Sequence, residues 1–153
     1  MENEDAQKQD YYRYIIMAEG WTRHLRAETI EAYSAGIVDH GLDRRAVKVM
    51  AEVGIDISQY RSKTVNIFKD VEFDYVIALC GHAHESCPLF PGKARVIHRG
   101  FDDPPTLAQQ THSEEEALQS YRRIRDEIKT FILTFPDFLT HSQENDLFRQ
   151  FQL

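Results

Sequence analysis

Residues 73–88 read FDYVIALCGHAHESCP, and this stretch decides the fold that the sequence predicts. Its first part is a short apolar run that contains Val76 and Ile77 and is flanked by polar residues, a pattern typical of a buried strand. Cys80 follows at the carboxyl end of that strand, where open α/β sheets hold their ligands. We therefore expect the chemistry of the protein to lie in the loop from Cys80 to Pro88.

Both cysteines of the chain, Cys80 and Cys87, lie in this loop. The first ten residues, MENEDAQKQD, lack the basic start of a signal peptide, and no apolar run approaches the roughly 20 residues that span a bilayer. These features predict a cytoplasmic protein without a membrane partner. In that compartment a cysteine pair is more often a pair of reactive thiols or metal ligands than a structural disulfide.

The length and composition of the chain favour a single folded domain. The chain has 153 residues, of which 42% are hydrophobic and 28% charged. Its net charge of -7 argues against nucleic acid or an anionic membrane surface as a partner. We divide the sequence into an atypical N-terminal segment (1–16), an α/β domain (17–135) and a C-terminal tail (136–153).

Helix and strand patterns alternate along the domain. Met17, Trp21 and Leu25, at a spacing of four, predict a helix, whereas residues 30–35 alternate like a strand. Residues 11–16 fit either a short strand or the first turns of the following helix. Further helices are predicted from about Asp43 to Gly54 and within 62–70, and a further strand at 95–98. The alternation predicts a three-layer α/β fold, with a short parallel sheet of about four strands between helices on both faces.

A capping box at residues 113–116, SEEE, opens the last helix of the domain. Its apolar stripe is predicted to comprise Leu118, Tyr121, Ile124, Ile128 and Ile132. Arg122, Arg123 and Arg125 are interleaved with acidic residues, and we interpret them as a solvated face.

Five motifs occur in order along the domain: MAEGW (17–21), YSAG (33–36), VGIDIS (53–58), C-x6-CP-x-FPG (80–92) and GFDDP (100–104). Together they closely resemble the thioredoxin-coupled arsenate reductases, which share the fold of the low-molecular-weight tyrosine phosphatases. The resemblance runs from Met17 to about Phe131. It implies an arsenate reductase-like protein, which converts arsenate to arsenite through a cysteine relay that thioredoxin reduces.

The resemblance also implies roles for individual residues. Cys80 matches the second thiol of the relay and Cys87 the third, while Asp103 matches the general acid of an Asp-Pro loop. Glu19 and Ser34 match positions that help to hold a monovalent cation in some members. No tightly bound cofactor is implied; the substrate is arsenate or a phosphate-like oxyanion, and thioredoxin is an external reductant.

One part of the family pattern is missing. Directly before Met17 the family has an apolar strand and a Cys-x5-Arg loop that holds the first nucleophile and cradles the anion; here residues 8–16 read KQDYYRYII. Deletion of the loop, replacement of the segment and a misjoined reading frame would all give this sequence. We expect impaired arsenate reduction, and we expect residues 11–16, or a strand from another copy, to replace the first strand.

Two other functions stay open. The chain fits a catalytically inactive relative that acts as a binding or regulatory protein. It also fits a thiol or metal-binding module in which Cys80, His82, His84 and Cys87 hold Zn²⁺. These four ligands lie closer together than those of most zinc sites.

Overall fold

A computed structural model of the protein describes residues 12–36, 41–61, 63–79, 93–102, 104–135 and 137. Within these residues there are four α-helices, α1 (Tyr12–Arg26), α2 (Arg44–Glu52), α3 (Pro104–Gln109) and α4 (Glu114–Leu133). A 3-10 helix (Val65–Phe68) and two strands, β1 (Tyr75–Ala78) and β2 (Arg95–His98), lie between α2 and α3.

The two strands form a parallel pair, as the sequence predicts for residues 73–79 and 95–98. Tyr75 lies opposite Arg95 and Ala78 opposite His98. The described residues thus contain two of the roughly four predicted strands. Because the pair is parallel, both strands end at the same edge of the sheet.

The strand predicted at residues 30–35 is not formed. Gly36 alone makes an isolated parallel bridge with Thr64, in which Gly36 N–H donates to Lys63 O (2.8 Å) and Val65 N–H donates to Gly36 O (3.0 Å). A strand forms only where a neighbouring strand satisfies its backbone N–H and C=O groups. In the part of the chain that the structure describes, the only sheet is the β1–β2 pair, so residues 30–35 have no strand beside them.

Residues 12–16 form the first turns of α1, so the prediction that they replace the family's first strand is wrong. Residue 11 lies outside the described residues. The aromatic and branched side chains of this run favour a strand locally, but Ile16 and Met17 are buried in the core together with Trp21. Packing of this helical face therefore outweighs the local strand propensity.

The long helix α4 organises the core. All five residues of its predicted apolar stripe are buried, and the helix packs against α1, α2 and α3. Its start is capped as predicted, because Ser113 Oγ accepts from Glu116 N–H (3.2 Å). Trp21 Nε1 of α1 donates to Arg125 O (3.1 Å), which fixes the two helices side by side.

The helix predicted after Asp43 is also confirmed. Asp43 Oδ1 accepts from Arg45 N–H (2.7 Å) and so caps α2. Its other oxygen, Oδ2, accepts from Tyr121 Oη (2.7 Å), which ties the cap to α4. After α2 the chain turns through Gly54, whose φ of 82° lies in the left-handed region that favours glycine.

The arginines of α4 do more than form a solvated face. Arg122 makes two hydrogen bonds of 2.8 Å to the Glu52 carboxylate of α2 and a third of 2.6 Å to Glu115. Arg125 is buried, and its Nη1 donates to Val49 O (3.0 Å). The spacing of three residues places both guanidinium groups over the same helix, and this contact could not be read from the sequence.

The Glu52 contact gives a testable pH dependence. The Arg122 hydrogen bonds hold the pKa of Glu52 below its usual value, helped by the charges of Arg122 and Arg125. A lowered carboxyl pKa stabilises the fold above the unfolded pKa of about 4.3, and this contribution is lost as the pH falls through the folded value. We expect Glu52→Gln to give a shallower loss of unfolding free energy between about pH 5 and pH 3.

Urea unfolding at a series of pH values measures this slope. Glu28→Gln is the matched control for the loss of one carboxylate, since Glu28 is exposed just after α1. A Glu52→Gln slope equal to that of the unsubstituted chain would contradict the expectation.

Candidate functional site

Most of the residues that are expected to carry the chemistry lie outside the described part of the chain, so the site is described from the residues next to them. Cys80, Cys87 and Asp103 lie outside the described residues, as do the alternative metal ligands His82 and His84. Glu19 and Ser34 are described. The structure therefore shows the residues that lead into the thiol loop and the Asp-Pro loop, and the contacts that the Glu19 carboxylate makes with other described residues.

The chain leaves both strands at one edge of the sheet. Leu79, the residue before Cys80, is buried directly after β1. After β2, Arg99 N–H donates to Ala78 O (2.9 Å), so the chain leaves the two strands side by side. Phe101 is buried two residues later, and the Arg99 guanidinium lies 5.3 Å from the centre of its ring.

Both neighbours of Asp103 in the chain are held in place. Asp102 Oδ2 accepts from Arg123 Nη2 of α4 (2.7 Å). Pro104 is fully buried at the start of α3, which packs on α4. Asp102 and the helix that begins at Pro104 thus both contact α4, through contacts that the sequence patterns did not indicate.

Glu19 and Ser34 are brought together although 15 positions separate them in the chain. Both residues are buried, and Ser34 Oγ donates to Glu19 Oε2. Arg23 Nη2 lies 2.8 Å from Glu19 Oε1, and Lys63 Nζ lies 3.9 Å from Glu19 Oε2. The Arg23 contact could be found from its helical spacing of four, whereas that of Lys63 depends on the remote Gly36–Thr64 bridge.

Two of the five sequence motifs contact each other at Gly20. A Cβ at this position would lie 2.9 Å from Ile57 Cγ2 and 3.2 Å from Met50 Cε. Because a side chain would collide here, glycine lets α1 lie directly on residues 55–57. This close contact fixes the helix that carries Glu19.

Among the described residues, no three His, Cys, Asp or Glu side chains are grouped so that they could hold a metal ion. In the same part of the chain, no helix combines the length and apolar character needed to cross a membrane.

Comparison with known proteins identifies the family. The model of the low molecular weight phosphotyrosine protein phosphatases matches residues 14–145. The arsenate reductase of Halalkalibacterium halodurans is 43% identical over 121 residues, covering 79% of this chain and 85% of that protein. That of Bacillus subtilis is 41% identical over the same length.

Solved structures agree in fold. An arsenate reductase in its oxidized state superposes with a TM-score of 0.64 at 27% identity, covering 81% of this chain and 88% of that one. Another, in the phosphate binding state, gives 0.60 at 25% identity, covering 82% and 89%. These matches confirm the predicted low-molecular-weight phosphatase-like α/β fold. The chain belongs to the arsenate reductases of the low molecular weight phosphotyrosine protein phosphatase family.

Proposed function

We propose that this protein works in the reduction of arsenate to arsenite, with thioredoxin as its external reductant. The observation that carries the proposal is the parallel pairing of β1 and β2, which makes the chain leave both strands at one edge of the sheet. One strand leads into Cys80 and the other into Asp103. A solved relative in the phosphate binding state supports an oxyanion substrate.

The proposed chemistry is a thiol relay. Cys80 attacks the sulfur of a cysteine–arsenate adduct, and arsenite leaves with the electron pair of the sulfur–arsenic bond. Cys87 then attacks the resulting disulfide at Cys80, and two electrons from thioredoxin reduce the Cys80–Cys87 disulfide. Asp103 protonates an oxygen of the bound oxyanion as it leaves.

The first thiol of this relay is missing from the 153 residues. No cysteine precedes Cys80, and Ser86 and Lys93 stand six positions after the two cysteines, where a Cys-x5-Arg loop would place arginine. We therefore propose that the later thiol exchange is retained while arsenate turnover is impaired. The same absence favours, as a second candidate, a catalytically inactive relative that acts by binding.

The proposed compartment follows from the two cysteines, and the classes of excluded partner follow from the net charge. Two reactive cysteines require a reducing compartment, so we propose a cytoplasmic protein. The net charge of -7 makes nucleic acid and anionic membrane surfaces poor partners.

Thiol chemistry provides the direct test. We expect mild oxidation of the reduced chain to join Cys80 to Cys87 within one molecule, and thioredoxin with its reductase to reverse the reaction. Peptide mapping by mass spectrometry identifies the linked pair. In the Cys87→Ser variant the intramolecular link should be lost completely, while Cys80 stays reactive.

Two results would count against this proposal. Cysteines that stay free, or that link only between molecules, would exclude the relay. One equivalent of zinc bound after purification in metal-free buffer would instead favour the metal-binding alternative at Cys80, His82, His84 and Cys87.

A further inference from the structure

Glu19 is a carboxylate in a buried position. Only 3% of its side chain is exposed, and the next residue in the chain, Gly20, lies directly against Ile57. A buried charge is costly unless it is paired and hydrogen-bonded. The hydroxyl of Ser34, itself buried, donates one hydrogen bond to Oε2 but carries no charge. The site therefore needs a positive charge beside the carboxylate.

Two side chains of the protein supply that charge. Arg23 Nη2 lies 2.8 Å from Oε1 of Glu19, one helical turn further along α1. Lys63 Nζ lies 3.9 Å from Oε2. Among the described residues, each carboxylate oxygen thus has a cationic partner, Arg23 at Oε1 and Lys63 at Oε2. A further cation placed at Glu19 would lie beside these two positive charges and would be repelled by both.

The lysine is placed by the backbone. Lys63 O accepts from Gly36 N–H (2.8 Å), so the bridge between Gly36 and Thr64 holds Lys63 next to the segment that carries Ser34. The ammonium group also lies 6.0 Å from the centre of the Phe68 ring. The bridge between Gly36 and Thr64 therefore helps to place both the Ser34 hydroxyl and the Lys63 ammonium group beside Glu19.

Arg23 makes two further contacts besides its ion pair with Glu19. Its Nη2 also donates to Ala32 O (3.0 Å), and its guanidinium group lies 5.6 Å from the centre of the Tyr60 ring. Arg23 thus ties α1 to residues on both sides of α2. A mobile ion would have to displace a cation that makes three separate contacts.

The surroundings of Glu19 do not fit the monovalent cation that the family resemblance implies there. We propose that Lys63, supported by Arg23, takes the place of that ion, and that the fold of this protein is independent of potassium. Replacing Lys63 by a neutral side chain would remove one positive charge and open a polar space lined by the oxygens of Glu19 and Ser34. The variant would then bind potassium where the unsubstituted chain does not.

Thermal unfolding of the whole chain in KCl, NaCl and choline chloride at equal ionic strength tests this proposal without reference to arsenate chemistry. The unsubstituted chain is expected to melt within about 1 °C in all three salts, because an ion that does not bind the native state cannot stabilise it. Lys63→Gln is expected to melt lower in choline chloride and to regain at least about 2–4 °C in KCl.

Two variants serve as controls. Lys63→Arg keeps the positive charge and should stay insensitive to the salt. Lys69→Gln removes an exposed lysine just beyond the 3-10 helix and should also show no difference between the salts.

Three results would overturn the proposal: a higher melting temperature of the unsubstituted chain in KCl than in choline chloride, a folded Lys63→Gln variant without a potassium response, or a potassium-dependent Lys63→Arg variant. If Lys63→Gln is unfolded in choline chloride, folding on addition of KCl supports the proposal, and failure to fold in KCl contradicts it.

Discussion

Arsenate-dependent NADPH consumption, assayed with thioredoxin and its reductase, is expected to rise at least about 10²-fold when residues 1–16 are replaced by a strand and a Cys-x5-Arg loop. The loop supplies a nucleophilic thiol, backbone N–H donors and a guanidinium group that holds the oxyanion. The 153-residue sequence contains no Cys-x5-Arg pattern, so its own rate should stay near background. The increase in NADPH consumption measures how well Cys80 and Cys87 complete the relay once the cysteine–arsenate adduct has formed.

The structure provides a firm place for the join. Met17 and Trp21 are buried, and Gly20 lies against Ile57, so the part of α1 behind the new segment is fixed by the core. A loop that enters a helix at its first turn can direct its backbone N–H groups at an anion. The new loop would therefore be carried by a helix that Met17, Gly20 and Trp21 hold in the core after Ile16 is replaced.

Two matched variants of the chimaera separate the relay from other causes. Serine in place of the introduced cysteine should remove the gain, because no adduct forms. Cys80→Ser should also remove it, because the adduct cannot be resolved. A contrary result would be substantial turnover by the unmodified chain that Cys80→Ser abolishes, since another group would then act as the first nucleophile.

Local signals in the sequence were sufficient for α2 and α4. Asp43 and Gly54 mark the limits of α2, and Ser113 marks the start of α4, because caps depend on a few neighbouring backbone groups. The apolar stripe of α4 is read from its spacing alone. The five motifs were sufficient for the family, and the comparisons confirm it.

Contacts between distant segments could not be predicted in the same way. Ile67 and Phe68 are the apolar positions of the short helix predicted within 62–70, but Ile67 is 57% exposed. The segment is a 3-10 helix with about three residues per turn, and the ring of Phe68 packs against Tyr33 and Phe73. The approach of Lys63 to Glu19 likewise depends on a single bridge between remote residues.

Ile124→Ala is expected to lower the free energy of unfolding by about 2–5 kcal/mol. Ile124 is completely buried on the face of α4 that forms the core. Removing its outer methyl groups loses their transfer free energy and leaves a cavity that the surrounding helices fill only in part. For a chain of this length, about 3 kcal/mol corresponds to a fall in melting temperature of roughly 6–12 °C.

Urea unfolding of Ile124→Ala beside Leu133→Ala tests this expectation. Leu133 lies at the end of the same helix with 48% of its surface exposed, and its substitution should change the unfolding free energy by no more than about 0.5 kcal/mol. Equal losses in the two variants would show that α4 is not the centre of the core. A large loss at Ile124 beside a small one at Leu133 would show that α4 is the centre of the core, and the same helix contacts Asp102 through Arg123.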